Sequence, residues 1–225
     1  VIMTPGSGGM YLDWYQGDPR IEPITIPSAS FPMSNTYGFD PVPDVIREAG
    51  LGKHVLGVQC NNWSEYMYSN AKMEYMMYPR SLALAEVAWS PLSRKDYTDF
   101  CKRLDANVVR LDQRHVNYHI PLPEQPFGSC DKVIITKDTD LTFTTTRPMK
   151  MVYTLDGTKP TPTSTVYTQP IKVTTDCVLN IATVLPSGKM SRIRNIVIEK
   201  RGFTPAVQVK DVKPGLEMKR IKGYF

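Results

Sequence analysis

The 225-residue sequence has no run approaching the ~18–20 apolar residues of a membrane-spanning helix, so no span is expected. Val1-Ile2-Met3-Thr4 offers neither a basic n-region nor an apolar h-region, so no signal peptide is expected at this start. The chain opens instead on a short apolar run, as if cut from something longer. Cysteine is sparse: Cys60, Cys101, Cys130 and Cys177 lie far apart and no C-x-x-C occurs. A chain this long is no disulfide framework, zinc-finger chemistry is unsupported, and buried free thiols are expected. Charge of one sign is also lacking, since the net charge is only +5. Its one concentration is a tail holding Lys210, Lys213, Lys219, Arg220 and Lys222, which reads as solvated, and no nucleic-acid partner is expected.

What is present changes character along the chain. Val1-Ile2-Met3 ends in the breaker cluster Thr4-Pro5-Gly6-Ser7-Gly8-Gly9, and His54-Val55-Leu56-Gly57-Val58-Gln59 is a second apolar run suited to a buried parallel strand. A helix is predicted from Pro79 through Leu82, Ala83, Ala85, Glu86 and Trp89 until Pro91 stops it. Ser93-Arg94-Lys95-Asp96 resembles a capping box before the apolar stripe Tyr97, Phe100, Cys101, Leu104, Val108 and Leu111. Strand, long loop, strand, helix, helix is an α/β pattern over residues 1–120.

Residues 121–130 form a proline-rich stretch expected to be a stiff linker. Beyond it the period becomes two: Leu141–Thr144, Met151–Leu155 and Val178–Ala182 read as strands, with Asp156-Gly157 and Pro186-Ser187-Gly188 as turns. A small antiparallel β-sandwich is expected over 131–200, followed by a tail or further linker over 201–225.

Two segments hold the chemistry. Tyr11-Leu12-Asp13-Trp14-Tyr15-Gln16-Gly17 follows the first strand, and Gln59-Cys60-Asn61-Asn62-Trp63-Ser64-Glu65-Tyr66 follows the second. Carboxylates and aromatics just past the C-terminal ends of parallel strands sit where α/β barrels build active sites. Aromatic faces suit the C–H faces of a sugar and acids suit its hydroxyls. On composition alone the same residues read first as ordinary core aromatics and solvated acids.

Val1-Ile2-Met3-Thr4-Pro5 with Tyr11-Leu12-Asp13, Gly57-Val58-Gln59 with Trp63-Ser64-Glu65, and Tyr78-Pro79-Arg80-Ser81-Leu82-Ala83-Leu84-Ala85-Glu86-Val87-Ala88-Trp89-Ser90 together resemble the family-20 glycoside hydrolases, the β-N-acetylhexosaminidases. The loop Tyr37-Gly38-Phe39-Asp40-Pro41-Val42-Pro43 is similar to one in that family. Tyr153–Thr161 and Tyr167–Ile171 resemble the small immunoglobulin-like domain that follows such barrels.

The resemblance implies a fold that is α/β plus all-β. Residues 1–120 would be the last two β/α units of a TIM (β/α)8 barrel, and an antiparallel immunoglobulin-like β-sandwich would follow. A complete barrel takes about 250 residues. The implied activity is exo-hydrolysis of terminal N-acetylhexosamine with retention, the substrate's own acetamido oxygen acting as nucleophile, and without cofactor or metal. The implied catalytic Asp-Glu pair occurs nowhere in these residues. By position, Tyr11 matches the tyrosine that orients the acetamido group, Asp13 and Glu65 the acids holding sugar hydroxyls, and Trp63 the indole of the pocket wall. Trp14, with Tyr15, is assigned to the rim. Ser64 replaces the commoner threonine.

The chain alone is expected to be inactive and to need the remainder of the barrel, from the same or another chain, to act on N-acetylhexosamine-containing glycans. A periplasmic or secreted location follows from the family's usual role. The rival readings are a non-catalytic carbohydrate-binding or spacer module centred on 131–200, where Phe143, Tyr153 and Tyr167 are the aromatics, and an assembly protein reusing a barrel end. His115 and His119 have the spacing of a helical zinc pair but lack its glutamate, and read as surface histidines near a helix end. Asn62-Trp63-Ser64 matches a glycosylation sequon but falls in the pocket, and Met73–Tyr78 reads as packing or an interface.

Overall fold

The computed structural model describes residues 1–206 and Gly215. Two parallel strands open it: β1 (Ile2–Met3) pairs with β2 (Gly57–Val58), Ile2 opposite Gly57 and Met3 opposite Val58. Of the expected His54–Gln59 strand only Gly57–Val58 is paired as a strand, and His54 belongs to a 3-10 turn, Gly52–His54. Between the strands lie α1 (Met33–Gly38) and α2 (Asp44–Glu48), each starting directly after a proline. Ile2 and Leu56 stand exposed on this small sheet.

Three helices follow. In α3 (Asn70–Met77) the Ser69 hydroxyl accepts from the Lys72 amide at 3.1 Å. α4 (Arg80–Trp89) begins after Pro79 and ends ahead of Pro91 as predicted. α5 (Tyr97–Gln113) is capped by Asp96, whose carboxylate accepts from the amides of Thr98 and Asp99 at 2.8 and 3.0 Å. Asp96 is thus the cap itself and not the far end of a box begun by Ser93, which lies in a separate turn, Leu92–Arg94. Phe100, Leu104 and Val108, at the predicted helical spacing, are buried against Met33, Tyr37 and Ala83.

The rest of the described chain is β: β3 (Lys132–Ile135), β4 (Thr139–Leu141), β5 (Lys150–Thr154), β6 (Thr165–Val166), β7 (Ile171–Val173), β8 (Cys177–Val184) and β9 (Arg194–Lys200). One sheet has the order β3-β9-β8-β5-β6, and β4 pairs with β7. Alternation along each strand places Ile135, Leu141, Phe143, Met151, Ile171, Leu179, Ile181, Ile196 and Ile198 in one core. The pairing is not wholly antiparallel, because β3 lies parallel to β9. These strands come from opposite ends of the unit, so no hairpin forces them to run oppositely.

The proline-rich stretch is packed, not a bare spacer. Ile120 to Pro123 are buried, and Glu124 exchanges backbone hydrogen bonds with Thr144 at 2.8 and 2.9 Å. Leu185 enters the α5 core, while Arg147 meets Asp105 at 3.1 Å and Lys189 meets Asp112 at 2.5 Å. All four cysteines are free; Cys60, Cys101 and Cys177 are half-buried, but Cys130 is exposed, against expectation. Among the described residues no helix is long and apolar enough to cross a membrane. The basic residues of the tail, Lys210, Lys213, Lys219, Arg220 and Lys222, lie outside the described residues.

Candidate functional site

The two chemistry-bearing segments lie side by side because the β1–β2 pairing resumes beyond the strands. Tyr11 bridges Asn61 in parallel, the Leu12 amide donates to the Asn61 carbonyl at 2.7 Å, and the Asn61 amide donates to the Met10 carbonyl at 2.9 Å. Between β1 and Tyr11 the breaker cluster forms a 3-10 turn, Gly6–Gly8. A Cβ on Gly6 would come within 3.1 Å of both the Tyr11 and Trp14 rings. Gly9, at φ 75°, turns the chain back where an added Cβ would stand 2.9 Å from the Thr36 amide.

Tyr11 meets Trp14 edge-on at 5.3 Å and Trp63 at 6.5 Å, and Trp14 in turn tilts against Phe31 at 4.6 Å. Trp63 remains 51% exposed, and Glu65 is exposed. Asp13 is 2% exposed, yet neither carboxylate oxygen has a hydrogen-bond partner. Burial raises its pKa; the backbone at Asp13 and Trp63 and the charge of Arg80 act against that rise, and Glu65 adds to it. The backbone N–H groups of Asp13 and Trp63 lie near the carboxylate, but neither makes a well-formed hydrogen bond to it, and a buried carboxylate in that state is costly.

Sequence reasoning missed what lies behind this acid. Arg80 is fully buried, donating to the carbonyls of Leu12, Met76 (2.9 Å) and Phe31 (3.3 Å). Its burial lowers its pKa to about 10. Cys60, its thiol pushed up to about 11 by burial, lies 3.8 Å from the Met10 sulfur. A lone arginine opening an apolar helix was the available signal.

A second buried group lies behind the following loop. Glu22 accepts from the Tyr75 hydroxyl at 2.5 Å and faces His119 Nε2 at 2.9 Å, with both acid and histidine side chains almost wholly enclosed. Burial pushes the Glu22 pKa up, but the charge and hydrogen bond of His119, the Tyr75 hydroxyl and Arg192 outweigh it, and the net shift is downward. His119 is therefore not the surface residue its spacing suggested, because its backbone leaves α5 and enters the packed stretch before Ile120. His115 is exposed at φ 56°. Among the described residues no three His, Cys, Asp or Glu are grouped to hold a metal.

Phe143 is buried, and its amide donates at 2.9 Å to the hydroxyl of Tyr167, which with Tyr153 packs on the β core. These three rings form no exposed platform.

Residues 1–92 match the model of glycosyl hydrolase family 20, catalytic domain, and residues 134–195 match the chitobiase/beta-hexosaminidase C-terminal domain. A beta-hexosaminidase of Porphyromonas gingivalis is 51% identical over 223 residues, 99% of this chain and 28% of the relative. A beta-hexosaminidase of Vibrio furnissii is 36% identical over 85 residues, 38% of this chain and 14% of the relative. The solved exo beta-N-acetylglucosaminidase of Vibrio harveyi in complex with N-acetylglucosamine is 31% identical, covering 49% of this chain and 17% of that one, with a TM-score of 0.45. The chain thus spans less than a third of the length of these relatives.

Proposed function

We propose, from the premise that the chain belongs to the family-20 β-hexosaminidases through residues 1–92 and to their C-terminal domain family through 134–195, that it supplies the sugar-recognition part of an exo-β-N-acetylhexosaminidase pocket. Terminal N-acetylhexosamine residues of glycans are the substrates. The two parallel strands are then the last two of a (β/α)8 barrel, and 131–200 an immunoglobulin-like accessory sandwich outside it. The enzyme works in the periplasm or outside the cell, where its polysaccharide substrates are.

The observation that carries this reading is Asp13, buried with both oxygens unpaired beside exposed Trp63 and Glu65. Sugar hydroxyls donate to Asp13 and Glu65 and provide the missing hydrogen bonds. The indole of Trp63 packs on the apolar face of the ring, with Trp14 at the rim. Tyr11 donates its hydroxyl to the acetamido oxygen and aligns it for attack on the anomeric carbon, a contact that strengthens as charge develops. The general acid comes from barrel residues outside these 225, since no Asp-Glu pair occurs among them. The exposed Ile2 and Leu56 on the small parallel sheet support packing against such strands.

The test is nitrophenyl N-acetylglucosaminide hydrolysis beside an intact-mass measurement. No turnover at 25.4 kDa, with turnover by a longer polypeptide and its loss in Asp13→Asn, is the expected result. Turnover at 25.4 kDa would mean that a residue of this chain supplies the acid. The rival role for 131–200 divides on buried Phe143 and on Tyr153 and Tyr167, partly buried against the same core, which favour a spacer over a glycan-binding module.

A further inference from the structure

The backbone that carries Asp13 is held at two points. Arg80 donates to the carbonyl of Leu12, and the Thr25 hydroxyl, itself buried, donates to the carbonyl of Asp13. Thr25 belongs to a loop that folds back on itself: its amide donates to the Tyr15 hydroxyl at 3.3 Å, and the Phe31 amide donates to the Tyr15 carbonyl at 2.7 Å. The loop is a strap over the residue that the sugar pocket depends on.

The outer end of this strap is gripped by residues far along the chain. The Asp18 amide donates to Glu124 Oε1 at 2.8 Å, and the Ser129 amide donates to Asp18 Oδ2 at 2.6 Å. Glu22 faces His119, and Arg192 donates to the Ile21 carbonyl. A groove of ≈ 720 Å³ runs along this seam. Its guanidinium groups are already engaged there: Arg20 with Asp18 at 3.0 Å, and Arg194 with the Pro123 and Cys130 carbonyls, both at 2.8 Å. Gly17 fits between two carboxylates, since a Cβ there would stand 2.9 Å from Glu22 Oε1 and overlap Glu124 Oε1.

We propose that the stretch 118–131 together with Arg192 is a clamp that positions Asp13 for sugar, and that Glu124 is its main positioning residue, holding the Asp18 amide so that the strap stays closed on the Asp13 carbonyl. This rests on the sugar-pocket reading of Asp13. Glu124 is half-buried near like charges: desolvation raises its pKa, the Asp18 amide draws it down, the Asp18 and Glu22 carboxylates raise it further, and His119 opposes them. In metal sites, groups that orient a ligating residue change affinity or activity about 10–100-fold when lost, and an effect of that order is expected here.

The experiment uses the longest native polypeptide carrying these residues and measures KM and kcat for nitrophenyl N-acetylglucosaminide, with unfolding midpoints recorded in parallel. Glu124→Ala and Gly17→Ala are expected to raise KM about tenfold with kcat within about twofold. Glu124→Gln, which keeps an oxygen acceptor for the Asp18 amide, restores KM. Arg103→Ala, which breaks exposed pairs with Glu86 and Asp99, leaves KM unchanged. If Glu124→Ala fails to fold, Gly17→Ala and Glu124→Gln decide the matter. Unchanged KM in Gly17→Ala and in folded Glu124→Ala, with turnover abolished by Asp13→Asn, overturns the clamp and leaves the pocket standing. Unchanged KM in Asp13→Asn overturns the pocket reading and the clamp with it.

Discussion

Asp13 and Arg80 are opposite charges, both buried, that act on each other without a hydrogen bond between them. The two terminal nitrogens of the guanidinium donate to backbone carbonyls, while its Nε, like both Asp13 oxygens, is buried without a partner. A group in that state favours ligand binding at the expense of the empty fold.

Asp13→Asn is therefore expected to stabilise the protein at neutral pH while abolishing sugar binding. The folded-state pKa of Asp13 is raised above 3.8, so the native state holds the proton longer than the unfolded chain. Its contribution to stability is fully present below 3.8 and is lost as pH rises through the raised folded value. Chemical denaturation across acid to neutral pH should show Asp13→Asn gaining on the parent as pH rises. A variant less stable at neutral pH would contradict the unpaired state of this carboxylate.

Arg80 makes the opposite prediction. Arg80→Met removes the donors to three carbonyls, and Arg80→Lys cannot span Leu12, Met76 and Phe31 from one ammonium. Each should cost about 3–5 kcal/mol in urea unfolding. Rescue of full stability by lysine would show that charge alone matters there.

Much of this arrangement was readable from residue order, and the reasons differ by element. Helix α5 announces itself through Phe100, Leu104 and Val108 at one spacing, and α4 through its flanking prolines. The segments carrying Tyr11, Asp13, Trp63 and Glu65 stood out because each short apolar run ends just before a cluster of acid and aromatic, and the β1–β2 pairing sets these segments side by side. The parallel pairing of β3 with β9 was not readable, since partners 60 or more positions apart leave no local signature. Nor was the burial of His119, which depends on meeting Glu22 across a sequence separation of 97. The capping error arose because Ser93 and Asp96 both carry cap-forming side chains, and only the backbone decides between them.

The Glu22–His119 pair sets an acid limit on stability. Glu22 is depressed below 4.5 in the folded state, so its contribution is present above 4.5 and lost as pH falls through the lower folded value. Glu22→Gln should cost about 3 kcal/mol at neutral pH, with the gap from the parent closing in acid. An undiminished gap at low pH would mean that the loss comes from packing against Tyr75, not from the charge.

Trp63 separates a binding wall from a core residue. Because it is half-exposed and touches Tyr11 only edge-on at 6.5 Å, Trp63→Ala should change stability by no more than about 0.5 kcal/mol. Its effect should fall on sugar affinity, at least tenfold, with Trp63→Phe recovering part of it through the remaining ring face. Trp14, packed on Phe31 at 4.6 Å and on Tyr11 at 5.3 Å, should instead lose about 1–3 kcal/mol of stability on truncation. Unfolding midpoints and N-acetylglucosamine titrations on both variants read the two effects separately. If Trp63→Ala destabilises as much as Trp14→Ala, its exposed face is serving the fold and the pocket wall must be sought elsewhere.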